Sequence, residues 1–245
     1  MIDLSALVMT LNDEYWLPYA LESTRGYFNR YVIYDMGSTD RTSEVIDWFT
    51  RSNSSVSFFT RRFNTIPPRD IQGALRNAMI AESQSEYFFI LDGDEVYSPY
   101  SLNRLTYEWD HYKESSKLYG VIRRIEFSND LTKRYNTIRS HHRVYHRTAV
   151  FDGPHPGERN LIPQNGNEYH FKESTLCYHF HNAIRSSKEN EALKRAERKS
   201  QHTYHPGTLE SFDLLKALPI LSKPILDFPV APELKKLQNE HNLGL

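Results

Sequence analysis

"FFILDGDEVYSPYSL", residues 88–102, runs an apolar strand straight into Asp92, Gly93, Asp94 and Glu95. Packing does not explain this ending, because carboxylates held so close together repel one another. A positive partner is expected among them, and a hard divalent cation such as Mg2+ or Mn2+, which prefers oxygen ligands, suits the arrangement. Gly93 permits a tight turn and a close backbone approach. The plainer alternative is a solvated acidic turn leading into the next helix, for which Ser98 supplies a cap and Pro99 the first helical position.

The same grammar repeats toward the N-terminus. Strands are expected at 5–11, 30–35, 55–60 and 86–91, and helices at 13–28, 39–52 and 69–83. Helix 69–83 carries its apolar stripe on Ile71, Ala74, Leu75, Ala78 and Met79. Helix 39–52 follows Ser38, Thr39 and Asp40, all able to cap it. Strand–helix alternation of this kind predicts a parallel sheet with crossover helices, and ligands bind such sheets beyond the carboxyl ends of the strands. That rule singles out Asn12, Asp35, Arg61 and the Asp92–Asp94 turn. In "YVIYDMGSTDRT" (31–42), Asp35 closes a strand where it can accept a hydrogen bond from a base N–H, beside a helix start with unpaired N–H groups. An ordinary strand–turn–helix with a capping cluster would read the same way.

Composition narrows the classes. The 245 residues fit one α/β domain with an appendage, and a net charge of −1 disfavours a nucleic-acid binder. A single cysteine, Cys177, rules out an internal disulfide. No signal peptide and no run near the ~20 apolar residues of a membrane span are seen, so a soluble, cytoplasmic protein is expected. Beyond residue 117 the pattern changes to strands at 117–127, 141–151 and 174–181, a charged helix at 185–202, and a proline-containing, partly helical tail at 206–245. The expected organisation is two parts of one domain, 1–117 and 118–205, with a C-terminal extension at 206–245.

Taken together, strand–Asp–x–Gly–Ser–Thr–Asp and, some fifty residues later, strand–Asp–x–Asp resemble the inverting family 2 type of GT-A glycosyltransferases. "VMTLNDEYWLPYALES" (8–23) is similar to that family's opening strand and "GALRNAMIAESQSEYFFILDGDE" (73–95) to its approach to the Asp-x-Asp motif. The likeness spans about residues 4–100, with scattered matches to about 200. The smaller bacterial and viral transferases fit better than the membrane synthases, whose Gln-x-x-Arg-Trp motif is missing. Met36 stands where a second acid is usual.

The resemblance implies a GT-A fold, α/β with a mostly parallel sheet, flanking helices and here a C-terminal helical extension. It implies a nucleotide-diphosphate-sugar donor, UDP-sugar first, and a glycan, lipid-linked or protein hydroxyl as acceptor. Residues 1–117 would be the donor-binding part and 118–205 the acceptor-side part, and the stretch 226–245 is read as docking on its own domain, pairing subunits or flanking the acceptor. Asp35 would bind the base, Thr10 and Asn12 would flank the nucleotide, and Asp92 and Gly93 would contact ribose or a metal-bound water. Asp94, with Asp92, would hold Mn2+ or Mg2+. Arg76 would reach the nucleotide or sugar, unless it is a surface arginine paired with Glu82 or Asp70. In "FDGPHPGERN" (151–160), Glu158 is the expected general base, with Asp152 behind it and His155 also ionisable. His179 and His181 share a strand face at period 2, and a late histidine completes the metal site in some GT-A enzymes. "HHRVYHR" (141–147) reads as contacting phosphate or acceptor, or as an exposed strand face, and Arg185 and Lys188 as diphosphate contacts or part of a solvated helix face. The competing functions are a non-catalytic nucleotide-sugar or glycan binder and a sugar nucleotidyltransferase. The second lacks the glycine-rich loop that "TLNDEYWLP" would have to supply.

Overall fold

The computed structural model describes residues 2–128, 131–136, 138–153, 159–160, 166–181, 183–188 and 208–242. Strands β1 (Ile2–Thr10), β2 (Phe28–Asp35), β3 (Ser57–Arg62) and β4 (Tyr87–Ile90) run parallel in the order β3-β2-β1-β4. Helices α1 (Leu17–Ser23), α2 (Thr42–Arg51) and α3 (Gln72–Ser83) cross between them. β1 is apolar almost throughout because both of its faces are covered. Leu4, Ala6 and Val8 pack in one cluster with Leu17, Leu21, Val45 and Phe49 of the first two helices. Leu7 packs in another with Leu75, Met79 and Ile80 of α3.

Helix bounds differ from the sequence expectation in instructive ways. The 13–28 helix is only α1, because Asp13 and Glu14 are drawn into a loop and Phe28 already belongs to β2. No side chain caps α2 at its N-cap residue Arg41. Asp40 Oδ1 accepts from Thr42 N at 2.9 Å, at the first residue of α2, while its Oδ2 accepts from Glu14 N and Ser38 Oγ accepts from Asn12 N, so the expected caps also tie two loops together. Helix α4 (Pro99–Glu114) starts as read, with Ser98 Oγ accepting from Ser101 N. Residues 185–188 are not helical, and the rest of the charged segment to 202 lies outside the described residues.

The second half of the sheet departs from parallel. β5 (Glu95–Tyr97), β6 (Tyr119–Glu126), β8 (Arg139–His146) and β12 (Leu176–His179) extend the order to β4-β8-β6-β12-β5, with β8 antiparallel to both β4 and β6 and β5 antiparallel to β12. β11 (Glu168–His170) also pairs with β6. In a flat sheet four strand spacings would part β4 from β5 by roughly 19 Å. Only Leu91–Asp94 join them, contracted by a Glu95 N–Asp92 O hydrogen bond of 3.1 Å. The sheet must therefore curl, bringing its far edge back over the acidic turn. Two small pairs complete it: β9 (Phe151–Asp152) with β10 (Arg159–Asn160), and β7 (Lys133–Tyr135) with β13 (Leu209–Ser211).

The tail docks on its own domain. The turn α5 (Leu214–Ala217) and helix α6 (Pro232–Asn242) contribute Leu214, Leu215 and Leu234 to a third cluster with Trp16, Phe127, Tyr178 and Phe180. Trp16 stacks on Phe180 at 4.1 Å and Phe180 on Phe127 at 5.3 Å. No helix among the described residues is long and apolar enough to cross a membrane.

Candidate active site

The site lies where the curl brings together the loop after β1, the acidic turn after β4 and the end of β12. Alternation along the chain sorts the residues of β12 and its exit. Phe180 turns into the tail core, while His179 and His181 turn the other way with rings 5.4 Å apart and 20° from parallel. Phe180 N donates to Asp94 O at 2.9 Å, so the acidic turn and the histidines are held by one backbone bond. Asp94, His179 and His181 each offer a ligand atom, and these atoms lie within 4.8 Å of one another. Asp94 and His179 are buried and His181 is half-buried. Asp94 Oδ2 is buried with no hydrogen-bond partner among the described residues, an orphaned acceptor of the kind a cation satisfies. One carboxylate and two imidazoles fit a first-row divalent ion.

Charge prepares these groups. Burial works to raise the Asp94 pKa, but Arg185 and His179 outweigh it and hold the value down at about 2. Burial, then neighbouring His179, lowers His181 to about 4. Both are thus in their metal-binding forms at neutral pH. Arg185 is no solvated helix residue: it donates to Asp13 and its Nη1 lies 3.6 Å from Asp94 Oδ2. Asp13 is fully buried, accepts from Thr10 Oγ1 at 2.6 Å, and is pushed upward in pKa by that burial. Gly93 lets the turn pass it, since a Cβ there would lie 2.7 Å from Asp13 Oδ2.

Asp92 takes a different partner. Arg143 Nη2 donates to Asp92 Oδ2 at 2.9 Å and also to the buried Glu95. Desolvation works against ionising Asp92, yet Arg143 and then Arg76 hold its pKa well below the usual range. His141 lies in the same field, depressed to about 2 by Arg143 and then by burial. "HHRVYHR" is therefore not an exposed face: His141 and Arg143 turn inward. Arg76 is buried at 3% exposure rather than paired on the surface.

Asp35 is buried, and its oxygens already accept from Ser38 N at 2.9 Å and Ser43 Oγ at 2.5 Å. A carboxylate keeps further lone pairs beyond these two bonds. Thr10 turns its hydroxyl to Asp13, and Asn12, at φ 52°, accepts from Thr39 N at 2.8 Å. Gly37 takes φ +93°, and a Cβ there would meet the backbone of Thr65 and Ile66 at 3.0 Å. Asp152 is exposed on β9, whose Phe151 is clamped to α3 by both side-chain atoms of Asn77. Among the described residues no hydrogen bond or ion pair joins Asp152 to the Asp94 group. Glu158 and His155 lie outside the described residues.

Sequence reasoning missed Asp13 and Glu126. Asp13 was visible as an acid beyond a strand end, in the tract "TLNDE". Glu126 reaches the site through strand pairing, which leaves no local signal. Glu95 stands in the acidic turn and Arg143 in "HHRVYHR", but their pairing with each other is not legible from the sequence.

The profile described as Glycosyl transferase family 2 matches residues 5–193. The mannosyltransferase PcManGT from Pyrobaculum calidifontis, solved in complex with GDP-Man and Mn2+, shares the fold with a TM-score of 0.52 at 11% identity, over 98% of this chain and 68% of that one. S. aureus TarS in complex with UDP-GlcNAc matches at TM-score 0.49 and 14% identity over 98% of this chain and 72% of that one. Another S. aureus TarS crystal structure matches at TM-score 0.48 and 13% identity over 83% of this chain, which spans 44% of that one. No curated protein matches the sequence.

Proposed function

The chain belongs to glycosyl transferase family 2, and we propose that it transfers a sugar, with inversion, from a UDP-sugar to a hydroxyl acceptor at the Asp94–His179–His181 group. The observation that carries this reading is the convergence of that group with Asp92 at the exit of β4, beyond the strand end where α/β sheets bind nucleotides. Asp35 accepts the N3–H of uracil with a lone pair left over from Ser38 and Ser43. Thr10 and Asn12 shape the loop under the nucleotide, Asp92 takes a ribose hydroxyl, and Arg76 faces the donor from α3.

Asp94, His179 and His181 would hold the metal. Two imidazoles favour Mn2+ over Mg2+, which prefers an all-oxygen shell. The bound ion supplies charge to offset the leaving diphosphate. The acceptor oxygen attacks the anomeric carbon from the face opposite the diphosphate, and the carbon–oxygen bond to phosphate breaks. The acceptor proton passes to a carboxylate of the 151–160 segment, Glu158 first and Asp152 second.

The test is turnover of UDP-, GDP- and dTDP-sugars with and without Mn2+. Mn2+-dependent turnover of a UDP-sugar is expected, and Asp94→Ala should lower it at least 100-fold, the scale of losing one transition-state charge partner. Turnover unaffected by chelation or by Asp94→Ala would remove the metal role. Binding without turnover would leave only a nucleotide-sugar binder.

A further inference from the structure

His179 has a second neighbour that the proposed reaction does not use. In the parallel ladder of β12 on β6, His179 sits directly opposite Glu126. The ring lies between two carboxylates, with Nε2 3.6 Å from Asp94 Oδ2 and Nδ1 3.8 Å from Glu126 Oε1. Nδ1 is buried with no hydrogen-bond partner among the described residues. Glu126, 5% exposed, is itself held by Arg124, two residues back on the same strand, at 2.6 Å. Arg124 Nη1 in turn lies 3.0 Å from His141 Nε2, so the guanidinium is fixed from both sides.

A neutral imidazole carries one proton, and the nitrogen without it is the one able to bind a metal. Which nitrogen keeps the proton is set by what the other side of the ring faces. Here one side faces Asp94 and the ligand atoms of the metal group. The other faces a carboxylate that has no role in that group. We propose that Glu126, clamped by Arg124, is the positioning residue of His179: it holds the proton on Nδ1 and leaves the Nε2 lone pair directed at the metal position. The 3.8 Å gap is longer than a hydrogen bond, and a small rotation of either side chain closes it. Arg124 keeps Glu126 from adding an uncompensated charge to the buried end of the strand pair.

The inference rests on the metal reading above, so the test separates the two. Long-range proton–nitrogen correlation spectra of the metal-free protein report the His179 tautomer, and the Mn2+ EPR signal reports affinity without any turnover. The expected result is an Nδ1–H tautomer in the wild type. Glu126→Ala should weaken Mn2+ binding roughly 10- to 100-fold, the range for removing a carboxylate behind a ligating histidine. Glu126→Gln, which keeps an acceptor oxygen, should restore most of the affinity, whereas Glu126→Met, which fills similar space without an acceptor, should not; equal rescue by both would mean a packing role. An Nε2–H tautomer in the wild type, or Mn2+ affinity unchanged in Glu126→Ala, overturns the proposal. If the variants fail to fold, the wild-type tautomer alone decides. A wild type that binds no Mn2+ but shows Nδ1–H would sink the metal reading while supporting the Glu126 contact.

Discussion

Asp94 shows why single residues here carry function at a cost in stability. Its carboxyl is buried, yet Arg185 and His179 hold it ionised, with a pKa of about 2. The neighbouring histidines pull the other way. His181 is lowered to about 4 and His141 to about 2, so both are neutral in the folded protein at pH values where an unfolded histidine, near 6.5, binds a proton. Between about pH 6.5 and 4 the unfolded chain takes up more protons, and stability falls as pH falls through that window. The urea midpoint should therefore drop between pH 7 and pH 4.5, and His181→Asn should flatten the slope. Asp13 and Glu95, raised by burial, act in the opposite sense, so the difference between the two proteins is the decisive quantity: a slope unchanged by His181→Asn would contradict the assigned environment. At this scale the sequence was informative where chemistry follows a strand end directly. Asp35, Asp92 and Asp94 stand out because acids rarely close apolar strands, and the His179–His181 pair because of its period. Glu126 stays hidden, and "HHRVYHR" keeps two readings for Arg143, because nothing local distinguishes a buried ion-paired residue from one on an exposed strand.

Elements place those residues by alternation and pairing. β12 and its exit send His179 and His181 toward the acidic turn and Phe180 toward the tail, where it is stacked between Trp16 and Phe127. Trp16 follows Asp13 and Glu14 in the loop, and its Nε1 donates to Ile184 O at 2.9 Å, next to Arg185. The aromatic stack thus fixes both halves of the site. Phe180→Ala should cost about 3–5 kcal/mol of unfolding free energy, typical of an emptied aromatic site, measured by urea denaturation without metal. It should also weaken Mn2+ binding in the fraction that remains folded. A loss below about 1 kcal/mol, the scale of a mild volume-conserving core change, would mean the stack does not organise the site. Legibility fails here for short elements. β5 is three residues directly after the acidic turn, too short for a period, so "EVY" reads as an approach to α4. α1 was overextended because "DEYW" is compatible with a helix, and only tertiary bonds to Arg185 and Thr42 draw Asp13 out of it.

Across the whole molecule, one curled sheet runs through the segments read as donor-binding and acceptor-side parts. The parallel half was legible from its βα alternation. The antiparallel half was not, because β8 inserts between β4 and β6 out of chain order. Of the three readings of 226–245, docking on its own domain is met, since Leu234 joins Trp16 and Phe180 in one cluster. The chain is near neutral overall, with a net charge of −1, yet its site holds a dense mixture of buried charges. Asp13, Asp92, Asp94, Glu95 and Glu126 are interleaved there with Arg76, Arg124, Arg143 and Arg185. Such a cluster is costly unless a ligand uses it. The most direct measurement is anomalous scattering from crystals soaked with MnCl2 and UDP. A manganese peak bonded to Asp94, His179 and His181, with the diphosphate on the same ion, is the predicted result. A peak elsewhere, or UDP bound with that group empty, would contradict the account.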